Sequence, residues 1–140
     1  MSMDIVTIER DFTAWVAEKL NLEIDKTIFR GSIPEKIKEG VAVMFGSQIP
    51  AAGFYGFRPQ TWNVQILAKF DKRDNAMMFQ TRVNMLFPQT GGMIYKNTNF
   101  RTIELQSVSE PFQGTDHGKG KWFISVNVVL SVLTSSAQTA

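Results

Sequence analysis

The apolar positions of this chain fall first into a helical rhythm. Between Asp4 and Leu20, the residues Ile5, Ile8, Phe12, Trp15, Val16 and Leu20 recur three or four apart, which gathers them on one face of an α-helix. Ser2 or Asp4 can cap its start by accepting backbone N–H bonds, and Asn21 tolerates the left-handed conformation that often ends a helix. From Trp62 to Phe70 the rhythm changes to two: Trp62, Val64, Ile66, Ala68 and Phe70 alternate with Asn63, Gln65 and Lys69, with Leu67 as the exception. That is the signature of a half-buried strand. The same alternation is cleanest near the end, where Trp122, Ile124, Val126, Val128, Leu130 and Val132 share one side and Lys121, Ser125, Asn127 and Ser131 the other.

The segments between these elements read less regularly. Lys26–Arg30 suits a short strand, Gly31 to Glu39 a charged surface connection, and Val41–Phe45 a strand. Asp71 or Asp74 caps a second helix in which Ala76, Phe79, Val83 and Leu86 repeat at three and four before Pro88 stops it. Met77, Met78 and Met85 widen that stripe and read as core gap-fillers. A turn at Gly91 and Gly92 precedes a strand over Phe100–Val108, and Glu110–Gly120 reads as a loop. The expected architecture is α+β, with two helices packed on one face of a mixed or antiparallel sheet of about four to five strands. Residues 1–134 form a single domain in this reading, followed by a polar tail over residues 135–140 that is expected to be disordered.

One connection departs from the rule that loops are polar. Gly46–Gln60 carries three glycines and two prolines but also Ile49, Phe54, Tyr55 and Phe57. These side chains either fold back onto their own domain or await a partner. The second alternative makes Ile49, Phe54, Tyr55 and Phe57 candidate interface residues.

Composition narrows the chemistry. A chain of 140 residues is the size of one domain, and its 44% hydrophobic and 20% charged content is that of a globular protein. No apolar run approaches the roughly 20 residues of a membrane-crossing helix. Met1–Arg10 lacks the pattern of a secretory signal, so the chain is expected to be made in the cytoplasm. The absence of cysteine removes disulfides, thiolate catalysis and thiolate metal sites. Its net charge of +2 comes without a basic cluster, because the adjacent pair Lys72 and Arg73 is flanked by Asp71 and Asp74.

His117, beside Asp116, is the sole histidine. An Asp–His pair can orient a general base, but no nucleophile motif accompanies it, and one imidazole is too few for a zinc site. Asp71 and Asp74 read as helix-start residues rather than a hydrolytic pair. GTDHGKG lacks the spacing of a phosphate loop. Trp122 with Lys119 and Lys121, or Tyr95 with Lys96 and Arg101, are possible base-stacking pairs, although Trp122 belongs to the apolar side of a regular strand. No catalytic residue, cofactor or metal is expected.

Three stretches carry a resemblance: the early helix followed by a proline-containing stretch and VAVMFG, then WNVQILAKF running directly into DKRDNAMMFQTRVNML, and EPFQGTDHGKGKWFISVNVVLSV near the end. Together, over roughly Asp4 to Val132, the chain resembles the tail terminator or tail-completion proteins of long-tailed phages, also called minor capsid proteins. That resemblance implies a virion structural protein without catalytic residues, at the head-proximal end of the tail and assembled in the host cytoplasm. It also implies a homo-oligomeric, hexameric ring that ends tail polymerisation and meets the tail-tube protein and the head connector in head–tail joining, with no specific nucleic acid and no membrane as partner. A nucleic-acid-binding module, supported by nine basic against five acidic residues over residues 41–140, and a small enzyme using His117 are the alternatives from other classes.

Overall fold

The structure is a computed structural model that describes residues 5–49, 59–89, 91–116 and 119–133; the side chains of residues 49, 59, 116 and 119 are outside that description. The elements run α1 (Ile5–Leu20), β1 (Ile28–Arg30), β2 (Gly40–Ile49), β3 (Pro59–Phe70), α2 (Arg73–Leu86), β4 (Met93–Tyr95), β5 (Thr98–Val108), β6 (Phe112–Asp116) and β7 (Lys119–Leu133). All the strands join one seven-stranded mixed sheet in the order β1-β2-β3-β7-β5-β4, with β6 also paired to β7. Among the described strands only β1 and β2 pair in parallel.

The α+β class and the two helices on one face are as the sequence implies, but the expected four or five strands become seven. Two short strands account for the difference. β4 has three residues and pairs only with the start of β5, too short to show a period. β6 lies inside the stretch expected to be a loop, where Gln113, Gly114 and Thr115 show no apolar alternation. It forms because β7 outruns β5: Phe100 to Val108 pair along the later part of β7, and Phe112 to Asp116 pair along its beginning. Gly114 belongs there for packing. A Cβ at this position would stand 2.8 Å from the Phe123 ring, which stacks on Phe112 at 5.8 Å.

The even positions of β3 and β7 form the helix-facing core, and Val64, Ile66, Val126 and Val128 are buried between α1, α2 and the sheet. Every residue of α1 from Asp11 to Ala17 is buried, more than one amphipathic face requires. Phe12 lies against Phe45 and Phe100 at ring distances of 6.1 and 6.2 Å, Trp15 against Phe87 at 5.9 Å, and the β4–β5 turn closes over a third side. There Asp11 Oδ2 accepts hydrogen bonds from the Asn97 N–H at 3.0 Å and the Thr98 hydroxyl at 2.7 Å. Asn21 ends α1 as expected, with φ of 56°. Leu22 N–H donates to Ala17 O, and Asn21 N–H to Glu18 O, the paired bonds of a Schellman cap. The Arg82 guanidinium donates to Leu20 O as well.

Three readings of individual residues are corrected. Neither Asp71 nor Asp74 caps α2: the N-cap is Lys72, without a side-chain hydrogen bond, and Asp74 lies in the first turn, while the Asp71 carboxylate is taken by Lys121 Nζ. Lys69 and Lys121, on the polar side of their strands, are only 3% and 7% exposed. A parallel β1–β2 pair obliges residues 31–39 to cross the sheet, and they do so on the face away from the helices. Lys121 Nζ donates to Lys38 O at 3.2 Å, and Ile33 and Ile37 press on Gly40, the β-partner of Lys69. The third correction concerns the methionines of α2.

Candidate functional site

Helix α2 sits on the sheet through a narrow stripe, Ala76, Phe79 and Val83. Its methionines do not widen that stripe inward: Met77, Met78 and Met85 are 39%, 64% and 82% exposed. The reason is geometric, since β3 and β7 meet only the 76-79-83 side of the helix and no further layer covers the outside among the described residues. Exposed apolar side chains clustered on one element mark a contact surface more often than scattered ones do, and methionine suits such surfaces because its unbranched thioether adapts to a partner.

At the foot of α2 the surface dips into a groove of about 260 Å³. Val41, Phe70 and Phe79 form its floor, with Leu22 and Met78 beside them. The turn after α1 places Leu22 there through the Schellman cap, and the Gly40–Lys69 end of the β2–β3 pair contributes Val41 and Phe70. Glu39, Asn75 and Arg82 supply the polar atoms. The Glu39 carboxylate accepts the Asp71 N–H at 2.9 Å and the Asn75 amide at 3.3 Å, Arg82 is bonded to Leu20 O, and the Thr27 hydroxyl is exchanged with the backbone of Glu23. This arrangement can take an apolar side chain out of water, with one carboxylate and one guanidinium at its rim. A second recess of about 60 Å³, beside Gly91 and Gly92, has room for only a couple of waters.

A strand edge adds to the surface. β1 pairs with Val41, Ala42 and Val43 only, so from Met44 to Ile49 β2 has β3 alone as a partner among the described residues. A two-residue irregularity between Phe45 and Gln48 interrupts the register there, one of the devices that keep an edge from pairing indiscriminately.

Of the candidate interface residues, Ile49 is the last residue of β2, paired with Thr61. Phe54, Tyr55 and Phe57 lie outside the described residues, as does His117. Their loop is shorter than Gly46–Gln60, because β2 continues to Ile49 and β3 begins at Pro59. The other chemical candidates are dispersed. Asp71 is bound to Lys121 and separated in role from Asp74, and Lys121 points to Lys38 and Asp71 on the face opposite Trp122, which packs against the core. Lys96 Nζ lies 5.9 Å from the Tyr95 ring, whose hydroxyl donates to Ala14 O at 3.5 Å. Among the described residues no three metal-ligating side chains converge, and no helix is long and apolar enough to cross a membrane. Sequence reasoning missed the groove entirely. Its one legible signal was Met78, three methionines being too many for so narrow a stripe.

The described residues thus define an α+β domain of two helices on one curled mixed sheet, with an apolar groove and an exposed methionine surface beside its second helix. No protein-family model matches the chain, and no curated protein matches it in sequence.

Proposed function

We propose that this chain is a structural subunit that acts by assembling rather than by catalysis, and that its assembly is the ring capping a phage tail tube. The ring is a hexamer that ends tail polymerisation, rests on the tail-tube protein and offers its other side to the head connector in the virion. The observation that carries the reading is the uncovered apolar surface of α2, with Met78 64% and Met85 82% exposed next to an apolar groove. A lone domain gains nothing from leaving these side chains in water. The aromatic residues Phe54, Tyr55 and Phe57, with Ile49, supply the matching anchors, since large aromatics commonly dominate the binding energy of an interface.

The test is a mass measurement in solution across a range of concentrations, followed by electron microscopy of purified tail tubes mixed with the protein. A ring of several copies that decorates one end of the tubes is expected. A chain that stays monomeric at every concentration and leaves the tubes bare overturns the proposal.

A further inference from the structure

The aromatic segment and the apolar groove belong to opposite ends of the same pair of strands. Residues 50–58 leave β2 after Ile49 and enter β3 at Pro59, at the Ile49–Thr61 end of the ladder. The groove lies at the Gly40–Lys69 end, where Val41 and Phe70 form part of its floor. With a rise of about 3.3 Å per residue along β2, the two ends are about 30 Å apart. A loop that must go out and return over residues 50–58 reaches at most about 17 Å from its anchors, even fully extended. The segment therefore cannot enter the groove of its own chain.

We propose that the groove receives residues 50–58 of a second copy, with Phe54 or Tyr55 seated between Met78, Phe79 and Phe70. This rests on the assembly reading and names the surface through which the copies join. The size fits: about 260 Å³ lies just under the range of roughly 300–1,000 Å³ typical of small-molecule pockets and suits one large side chain with part of its neighbour. Arg58 is the only charged residue of the segment, and the groove offers one carboxylate, Glu39, and one guanidinium, that of Arg82, which is turned to Leu20 O. A contact between one end of a subunit and the opposite end of the next is head-to-tail, which closes into a ring when the rotation permits.

Two variants and their mixture test this. Met78→Glu places a charge at the groove on a side chain that is already largely exposed, and Phe54→Ser with Tyr55→Ser removes the anchors; circular dichroism and thermal melting establish that each folds. Each alone should weaken self-association by about tenfold or more. Mixed together they should form a heterodimer, because the groove variant still carries an intact segment and the segment variant an intact groove. That rescue is expected only where the segment of one copy occupies the groove of another. If Met78→Glu assembles like the parent while the segment variant does not, the segment docks elsewhere: the groove assignment is overturned and the assembly reading stands. If Met78→Glu assembles normally yet no longer decorates tail tubes, the groove belongs to the tube protein and the inference is overturned. A parent chain that is monomeric at every concentration removes both.

Discussion

Replacing Asp11 with alanine removes a carboxylate that stitches the first helix to the sheet across 86 residues of sequence. Oδ2 of Asp11 accepts the Asn97 N–H at 3.0 Å and the Thr98 hydroxyl at 2.7 Å, and Asp11 and Thr98 are only 2% and 0% exposed. Hydrogen bonds to a charged group contribute about 1.5–3 kcal/mol each, and an orphaned buried donor costs a similar amount. Against that, alanine is the better helix former by roughly half a kcal/mol, and the carboxylate no longer has to be desolvated. The net loss expected is about 2–4 kcal/mol. For a chain of 140 residues this lowers the melting temperature by about 6–16 °C, at roughly 3–4 °C per kcal/mol. Asp11→Asn keeps an oxygen that can accept both bonds and should recover more than half of the loss. Urea denaturation followed by circular dichroism measures both variants. If alanine and asparagine give midpoints within about 0.5 kcal/mol of each other, the clamp on the β4–β5 turn is not what holds this side of α1.

Val126→Ala and Val128→Ala should each destabilise the fold by about 1–3 kcal/mol, since both are fully buried on a strand flanked by β3 and β5. Ser125→Ala, which gives up only a partly buried bond from Gln65 at 2.9 Å, should cost about 1 kcal/mol or less; equal denaturation midpoints for the three would place the core on the wrong face. Burial first, then the Glu18 carboxylate, raise the Tyr95 phenol above its ordinary value of 10.0. The stability tied to this group is therefore complete below about pH 10 and is lost as pH rises through the raised value. Tyr95→Phe should flatten that alkaline decline, and an unchanged pH profile would show that Tyr95 does not contribute to it. His117→Ala should leave assembly and biological activity largely intact, because no second histidine or cysteine exists to act with it; a folded variant that fails to restore infectivity to a defective phage would refute this.

The sequence by itself determined those elements whose side chains repeat with a period over many residues. α1, β3, α2 and β7 were all visible, because burying one face of a long helix or strand imposes its period on the chain; the strand over Phe100–Val108 was placed after the turn at Gly91 and Gly92, and Asn21 was visible because a helix end demands a particular backbone. Short elements carry no period, so β4 and β6 were decided only when β5 and β7 offered them edges. Burial across the sheet was likewise illegible: Lys69 and Lys121 sit at polar positions of regular strands yet are buried, and Lys121 reaches Lys38 O in the crossover of residues 31–39 as well as Asp71. The reverse holds for Met77, Met78 and Met85, apolar residues of a helix that meets β3 and β7 only through its 76-79-83 side. Asp11 is buried because the β4–β5 turn closes over it. The groove follows the same logic. Leu22, Val41, Phe70 and Met78 come from the turn after α1, from β2, from β3 and from α2, and what assembles them is the packing of α2 against the end of the β2–β3 pair, a long-range fact that no local pattern encodes.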